Sequence, residues 1–262
     1  ALKHVPIVEA HPSEGILTNV NGTRIVADCC HASGVSAMVL ISTDKAVNPA
    51  NIMGASKRIA ETYCQALDLE KTVKTRFVTV RFGNVLGSTG SVVPLFQRQI
   101  TKGGPLTVTH PEMRRFFMTV REAVELVLEA TVLGIKPDSA PGHIYVLDMG
   151  EPIKIVDLAR QMILLAGRSP NKDIKIEFTG LRPGEKLFEE ILHDSEPPRE
   201  TCYPAVLLAA PRTVDLPILL KQIEEVVAAA TSGDTTEMFV LISKYVPEFQ
   251  SGDGDGVIAA PL

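Results

Sequence analysis

The chain has 262 residues, 45% of them apolar and 22% charged, enough to bury a substantial core and remain in solution. Its 26 basic against 31 acidic side chains leave a net charge of −5, a field that repels polyanions and argues against nucleic acid as a partner. No run of 18 apolar residues is present, so no membrane contact is expected from this segment. The four cysteines show neither C-x-x-C spacing nor histidines at zinc-ligand spacing, so no metal site or disulfide framework is expected, and a reducing cytoplasm is the expected compartment. The first residues, "ALKHVPIVEAH", carry no charged leader and no apolar core of signal-peptide length.

Along the chain, Ile16, Val20, Ile25 and Ala27 share one face over 14–33, which predicts a helix closed by Gly34. "SAMVLIST" (36–43) has the length and apolar content of a buried parallel strand. A helix over 52–67 and a strand over 76–82 follow, and this alternation predicts βαβ units and a parallel sheet. Beyond Phe82 come a glycine-rich loop, "GNVLGSTGS", a helix over 92–102 and the turn "GGP". An amphipathic helix is predicted over 121–134, a strand over 143–150, and a helix over 155–167 capped by Gly167. "DIKIEF" alternates as a half-exposed strand, and "LRPGEKLFEEIL" (181–192) reads as a turn entering a helix rich in first-turn acid. Two helices over 214–231 and 234–245 and a disordered tail at "SGDGDG" complete the reading.

Chemistry concentrates after the first predicted strand. In a doubly wound sheet, ligands sit outside the carboxyl ends of the strands, and Ser42, Thr43, Asp44 and Lys45 follow such an end directly. Position alone also fits a capped loop with a surface Asp-Lys pair. Met53 and Lys57, four residues apart on a helix, face the same way and can look into one cleft. The glycines at 83, 87 and 90 follow G-x-x-x-G-x-x-G spacing, with no acidic strand end about 20 residues on. That makes the loop a poor dinucleotide-phosphate fingerprint.

A serine or threonine at a strand end followed by a helix with Tyr-x-x-x-Lys resembles the extended short-chain dehydrogenase/reductase superfamily. Within it, "STDKAVNPANIMGASKR", "RFGNVLGSTGSVVPLF", "MRRFFM" and "LRPGEKLFEEIL" are similar to the nucleotide-sugar 4,6-dehydratases of polysaccharide and protein-glycan synthesis. The likeness runs from residue 1 to about 215. It is strongest to the large, membrane-anchored members that make UDP-4-keto-6-deoxy-N-acetylglucosamine, a branch in which Met replaces the Tyr, as at Met53.

The resemblance implies an α/β fold, the C-terminal part of a doubly wound, Rossmann-like domain with a smaller substrate-binding lobe. Residues 1–101 would form an incomplete NAD-binding domain carrying the catalytic residues, joined by a strand near 143–149. Residues 102–213 would form mainly the substrate lobe, and 214–262 C-terminal helices and a tail. The family's G-x-x-G-x-x-G cofactor fingerprint would lie more than 50 residues upstream of residue 1, so this chain alone is expected to lack the adenine-binding half.

The resemblance also implies roles. NAD, with NADP as the alternative, would take hydride from sugar C4 and return it to C6. Thr43 would hydrogen-bond the C4 hydroxyl, Lys45 would remove the C5 proton, and Asp44 would protonate the departing C6 hydroxyl. As a base Lys45 would need its pKa lowered by burial or by Lys57, against the raising effect of Asp44. Lys57, Ser42 and Lys3 would meet the cofactor; Asn84, Arg115, Arg182 and Lys3 would meet the UDP-sugar. In "LRPGEK" Glu185 would cap the following helix, and His4 would be structural. Met53 cannot relay a proton. A homodimer or higher homo-oligomer is expected through the helices at 14–33 and 52–67, paired as a four-helix bundle. Two rivals stay open: a UDP-sugar 4-epimerase, which needs no chemistry at C5 or C6, and an inactive sugar-nucleotide-binding fragment.

Overall fold

In the computed structural model, which describes residues 1–194 and 196–250, the apolar runs become the strands of one five-stranded sheet. The chain begins with two short helices opened by prolines, α1 (Val5–Ala10) and α2 (Pro12–Ile16). A π-helical turn, Leu17–Asn21, leads into α3 (Gly22–Ala32), so the predicted helix over 14–33 is present with one widened turn. That turn places Asn19 to accept from Leu2 N at 2.7 Å and to donate to Leu2 O and Ser56 Oγ, which ties the first residues to the core.

Next come β1 (Ala37–Ile41), a 3-10 turn at Asp44–Ala46, α4 (Ile52–Leu69) and β2 (Arg76–Arg81). Short β3 (Asn84–Val85), α5 (Val92–Thr101), β4 (Leu106–Val108), β5 (Arg114–Arg115) and β6 (Phe117–Met118) precede α6 (Val120–Gly134), whose Thr119–Glu122 capping box fixes its start. Then β7 (Ile144–Leu147), β8 (Ile153–Lys154), α7 (Ile155–Leu165), β9 (Ile176–Phe178), β10 (Arg199–Glu200), β11 (Val206–Ala209), α8 (Leu216–Ser232) and α9 (Thr235–Tyr245) complete the described chain. The "SGDGDG" segment lies outside the described residues.

The sheet order is β1-β2-β7-β11-β10, with β1, β2 and β7 parallel and β11 antiparallel to β7. Val39 lies opposite Val78, and Val80 opposite Tyr145. One face packs on α4, the other on α6 through Ala123, Ala130 and Leu133, which meet Val78, Val80 and Tyr145. A second core unites α5, β4, α7 and β9 around Phe96, Leu106, Ile155 and Ile163. Helix α5 therefore joins the lobe, while β11, from the "VLLAA" run that carried no strand prediction, returns to the main sheet.

Two expectations are overturned here. Residues 181–192 form no helix: their backbone groups are used elsewhere, with Lys186 O and Leu187 O accepting from the Arg115 guanidinium and Gly184 O from Asn51. Glu185 consequently caps no helix; its carboxylate accepts from Arg182 N across a turn. Helix α4 also has no face left for a partner over Ile52–Leu67, because every residue there is buried within the chain by α1, α2, α8 and the sheet. The expected four-helix pairing through α4 is thus occupied by the chain's own C-terminal helices, whereas α3 keeps Ile25 and Val26 exposed.

Candidate active site

Hydrogen bonds Ser42 N to Val80 O and Asp44 N to Phe82 O carry the β1–β2 pairing past the strand ends, so 42–44 and 82–83 run side by side where parallel sheets present ligands. Thr43 caps the 3-10 turn that follows, and Asn51 caps α4 by accepting from Gly54 N at 2.8 Å. Helix α4 approaches so closely that any side chain at Gly54 would collide with the Lys45 carbonyl. Tight contact therefore fixes Lys45 relative to Met53 and Lys57.

These elements enclose a cavity of about 830 Å3 between the sheet ends, the glycine-rich loop and residues 182–189. Of the residues singled out from the sequence, Lys3, Ser42, Thr43, Lys45, Met53, Lys57, Asn84, Arg115 and Arg182 all line it; Asp44 does not. Asp44 is sealed, with a side-chain exposure of 0%; its Oδ1 accepts from Thr43 Oγ1 and from Lys45 Nζ, both at 2.9 Å. Its Oδ2 is buried with no partner among the described residues and lies against Gly83, where an added methyl would meet it.

Lys57 Nζ donates to Ile41 O at 3.1 Å, and burial holds its pKa below the usual lysine value although Glu61 pulls the other way. Met53, only 2% exposed, fills the wall beside it. For Lys45, burial favours the neutral amine, but Asp44 and Glu189 outweigh it and push the pKa above the usual value despite Arg115. The lowering that a lysine base requires is absent, and Lys57 is not among the groups that perturb Lys45.

Arg115, not its neighbour Arg114, faces the cavity. Most of its donors are already engaged, by Arg114 O, Leu187 O and Lys186 O, with Glu185 at 3.8 Å and Glu189 at 3.7 Å. It braces the 185–189 segment. Arg182 is exposed at the mouth, and its guanidinium has no hydrogen-bond or ion-pair partner among the described residues. Asn84 donates to Phe116 O, and the His4 ring packs where a side chain at Gly90 would stand.

The residue that sequence reasoning missed is Glu189. Read as first-turn acid of a helix, it instead points into the cavity, its carboxylate 5% exposed and 3.7 Å from Lys45 Nζ. Burial and Asp44 raise its pKa against the pull of Lys45, Arg115 and Lys186. Its signal in the sequence was a doubled acid in "LFEEIL", indistinguishable from a solvated helix start.

The match to known proteins decides the family: the polysaccharide biosynthesis protein family matches residues 1–211. The chain belongs to that family. It is 57% identical over 196 residues to capsular polysaccharide biosynthesis protein CapD of Staphylococcus aureus, covering 75% of this chain and 32% of CapD. It is 37% identical over 198 residues to the UDP-N-acetylglucosamine 4,6-dehydratase (inverting) of Campylobacter jejuni, covering 75% and 55%. To the UDP-glucose 4-epimerase of Rickettsia rickettsii it is 38% identical over 197 residues, covering 75% and 55%. The structure of Pen from Bacillus thuringiensis superposes with a TM-score of 0.72 at 36% identity, over 82% of this chain and 64% of Pen. The chain thus spans about a third to a little over half of the curated relatives it matches. Its Rossmann-like fold is that of short-chain nucleotide-sugar dehydratases and epimerases, including members solved with NAD.

The cavity suits the reactive end of a nicotinamide cofactor. Ser42 Oγ is buried and unpartnered among the described residues, and Lys57 reaches the same floor from α4. Ser42, Lys57 and Lys3 are the residues that would hold it; when bound, it would supply hydride acceptance and return.

Proposed function

We propose that this family member carries out NAD-dependent 4,6-dehydration of UDP-N-acetylglucosamine, giving a UDP-4-keto-6-deoxy sugar for polysaccharide synthesis. The observation that carries the reading is the pairing of Lys45 with a buried carboxyl, Glu189, on the cavity wall. Oxidation at C4 alone needs one proton acceptor; removal of the C5 hydrogen and loss of the C6 hydroxyl need two further proton transfers, and this pair provides them. Thr43 lies beside Lys45 to orient the C4 hydroxyl, Lys57 and Ser42 hold the cofactor ribose, and Arg182 and Asn84 meet the sugar nucleotide. The likeness to the Campylobacter dehydratase supports the substrate.

A 4-epimerase is the second reading, favoured by the comparable likeness to the Rickettsia epimerase. Incubating the full-length protein with NAD and UDP-N-acetylglucosamine in heavy water separates them. Dehydration gives a product lighter by one water with deuterium at C5; epimerisation gives an isomer with none.

A further inference from the structure

The two carboxyl groups beside Lys45 are not equivalent. Asp44 is enclosed behind Lys45 and Gly83 and contributes nothing to the cavity wall. Glu189 arrives from the opposite side on the irregular 181–192 segment and does contribute. Its carboxylate stands 3.7 Å from Lys45 Nζ and 3.7 Å from Arg115 Nε. Both distances exceed hydrogen-bond range, so its lone pairs are not consumed by either cation. Lys45, by contrast, makes a direct 2.9 Å bond to Asp44 and presents the rest of its ammonium to the cavity.

Building on the dehydration reading, we propose that Glu189 is a catalytic residue, the base that removes the sugar C5 proton, while Lys45 donates a proton to the departing C6 hydroxyl and Asp44 serves as a positioning residue that anchors Lys45. The C5–H bond breaks and its proton passes to a Glu189 oxygen. The freed electron pair, delocalised onto the C4 ketone, forms the C5=C6 bond as the C6–O bond breaks. The hydroxyl leaves as water with the proton from Lys45. Hydride lost from C4 on oxidation comes back at C6, and Glu189 returns its proton to C5. The proton shed by the C4 hydroxyl on oxidation restores the Lys45 ammonium, so the site ends as it began, with one water lost from the sugar.

The electrostatics run the same way. Burial makes Glu189 more basic than an ordinary carboxylate, and Asp44 adds to this against Lys45, Arg115 and Lys186. The carboxylates at 44 and 189 keep Lys45 protonated, which suits a donor and disqualifies a resting base.

The test uses the full-length protein with NAD and UDP-N-acetylglucosamine in heavy water. It reads reduced-nicotinamide absorbance, C5 deuterium in the recovered sugar, and product. Glu189→Gln is expected to oxidise C4 yet leave C5 free of deuterium, with product formation down about 10²–10⁴-fold. Lys45→Met is expected to show the complementary pattern, C5 deuterium without loss of water. Exchange at C5 at the wild-type rate in Glu189→Gln, or its absence in Lys45→Met alone, overturns the assignment. If Glu189→Gln melts early by circular dichroism, Glu189→Asp carries the test: slowed C5 exchange supports the role, and an unchanged rate refutes it. A wild-type protein that yields only the 4-epimer, without C5 deuterium, removes the dehydration reading itself and this assignment with it, an outcome distinct from a reversed pattern in the variants.

Discussion

Arg81→Met is predicted to destabilise the protein by about 3–5 kcal/mol, the cost of leaving a buried charge unpaired. The Arg81 side chain is 1% exposed at the end of β2, forked onto Glu61 at 2.8 and 2.7 Å and bonded to Glu196 at 2.9 Å. Removing it leaves fully buried Glu61 facing only Arg58, at 3.6 Å, and deprives Glu196 of its ion pair. For a chain of this size the loss corresponds to a fall in melting temperature of roughly 6–20 °C. Urea titration is the assay, read as a shift in midpoint at constant slope. The double variant Arg81→Met/Glu61→Met removes the orphaned carboxylate together with its partner and is expected to recover at least half of the loss. A single-variant loss below about 1 kcal/mol, typical of an exposed pair, or a double variant no more stable than the single, would refute the reasoning. Because Arg81 immediately precedes Phe82 and Gly83, which line the cavity, the single variant is also expected to weaken UDP-sugar binding.

The two arginines of the site are predicted to behave differently. Arg182→Ala weakens UDP binding in a salt-dependent way by calorimetry and leaves the melting temperature unchanged, whereas Arg115→Ala, which strips partners from three carbonyls, costs roughly 1.5–3 kcal/mol of stability. Gly54→Ala forces a methyl against the Lys45 carbonyl and is expected to cost about 1–3 kcal/mol by denaturation and to slow dehydration. Glu189 gives a signed pH dependence. Its folded pKa is raised above the unfolded value, so its ionisation opposes folding above the folded pKa, and that penalty fades as pH falls through the folded pKa towards the unfolded one. Glu189→Gln is therefore expected to exceed wild type in stability at pH 8, with the gap closing towards pH 4; a gap that is constant or opposite in sign in paired urea titrations refutes this.

The sheet and its helices were legible because their signals are local. "AMVLI" and "RFVTVR" have strand length and apolar content, and Thr119–Glu122 and Gly167 mark helix ends by chemistry that acts within a few residues. The gathering of Thr43, Lys45, Met53 and Lys57 was legible for the same reason, since a strand end and a four-residue helical spacing suffice to bring them together. The 181–192 segment was not, because its local pattern favours a helix while distant partners, Arg115 and Asn51, claim its carbonyls. The same long-range effect concealed Glu189, whose role depends on being brought 144 positions back along the chain to Lys45. The protonation of Lys45 depended on it too: Asp44 was visible next door, but the second carboxylate was not.

Helix α4, walled in along Ile52–Leu67, carries a kinetic consequence. Amides in its centre should be among the last to exchange with solvent, opening only with the whole domain, while the irregular 181–192 segment exchanges early through small local openings. Met53 and Lys57 therefore sit on the most slowly breathing part of the molecule and Arg182 and Glu189 on one of the quickest. Substrate can come and go by displacement of the segment alone, leaving the helical floor of the site undisturbed from one turnover to the next.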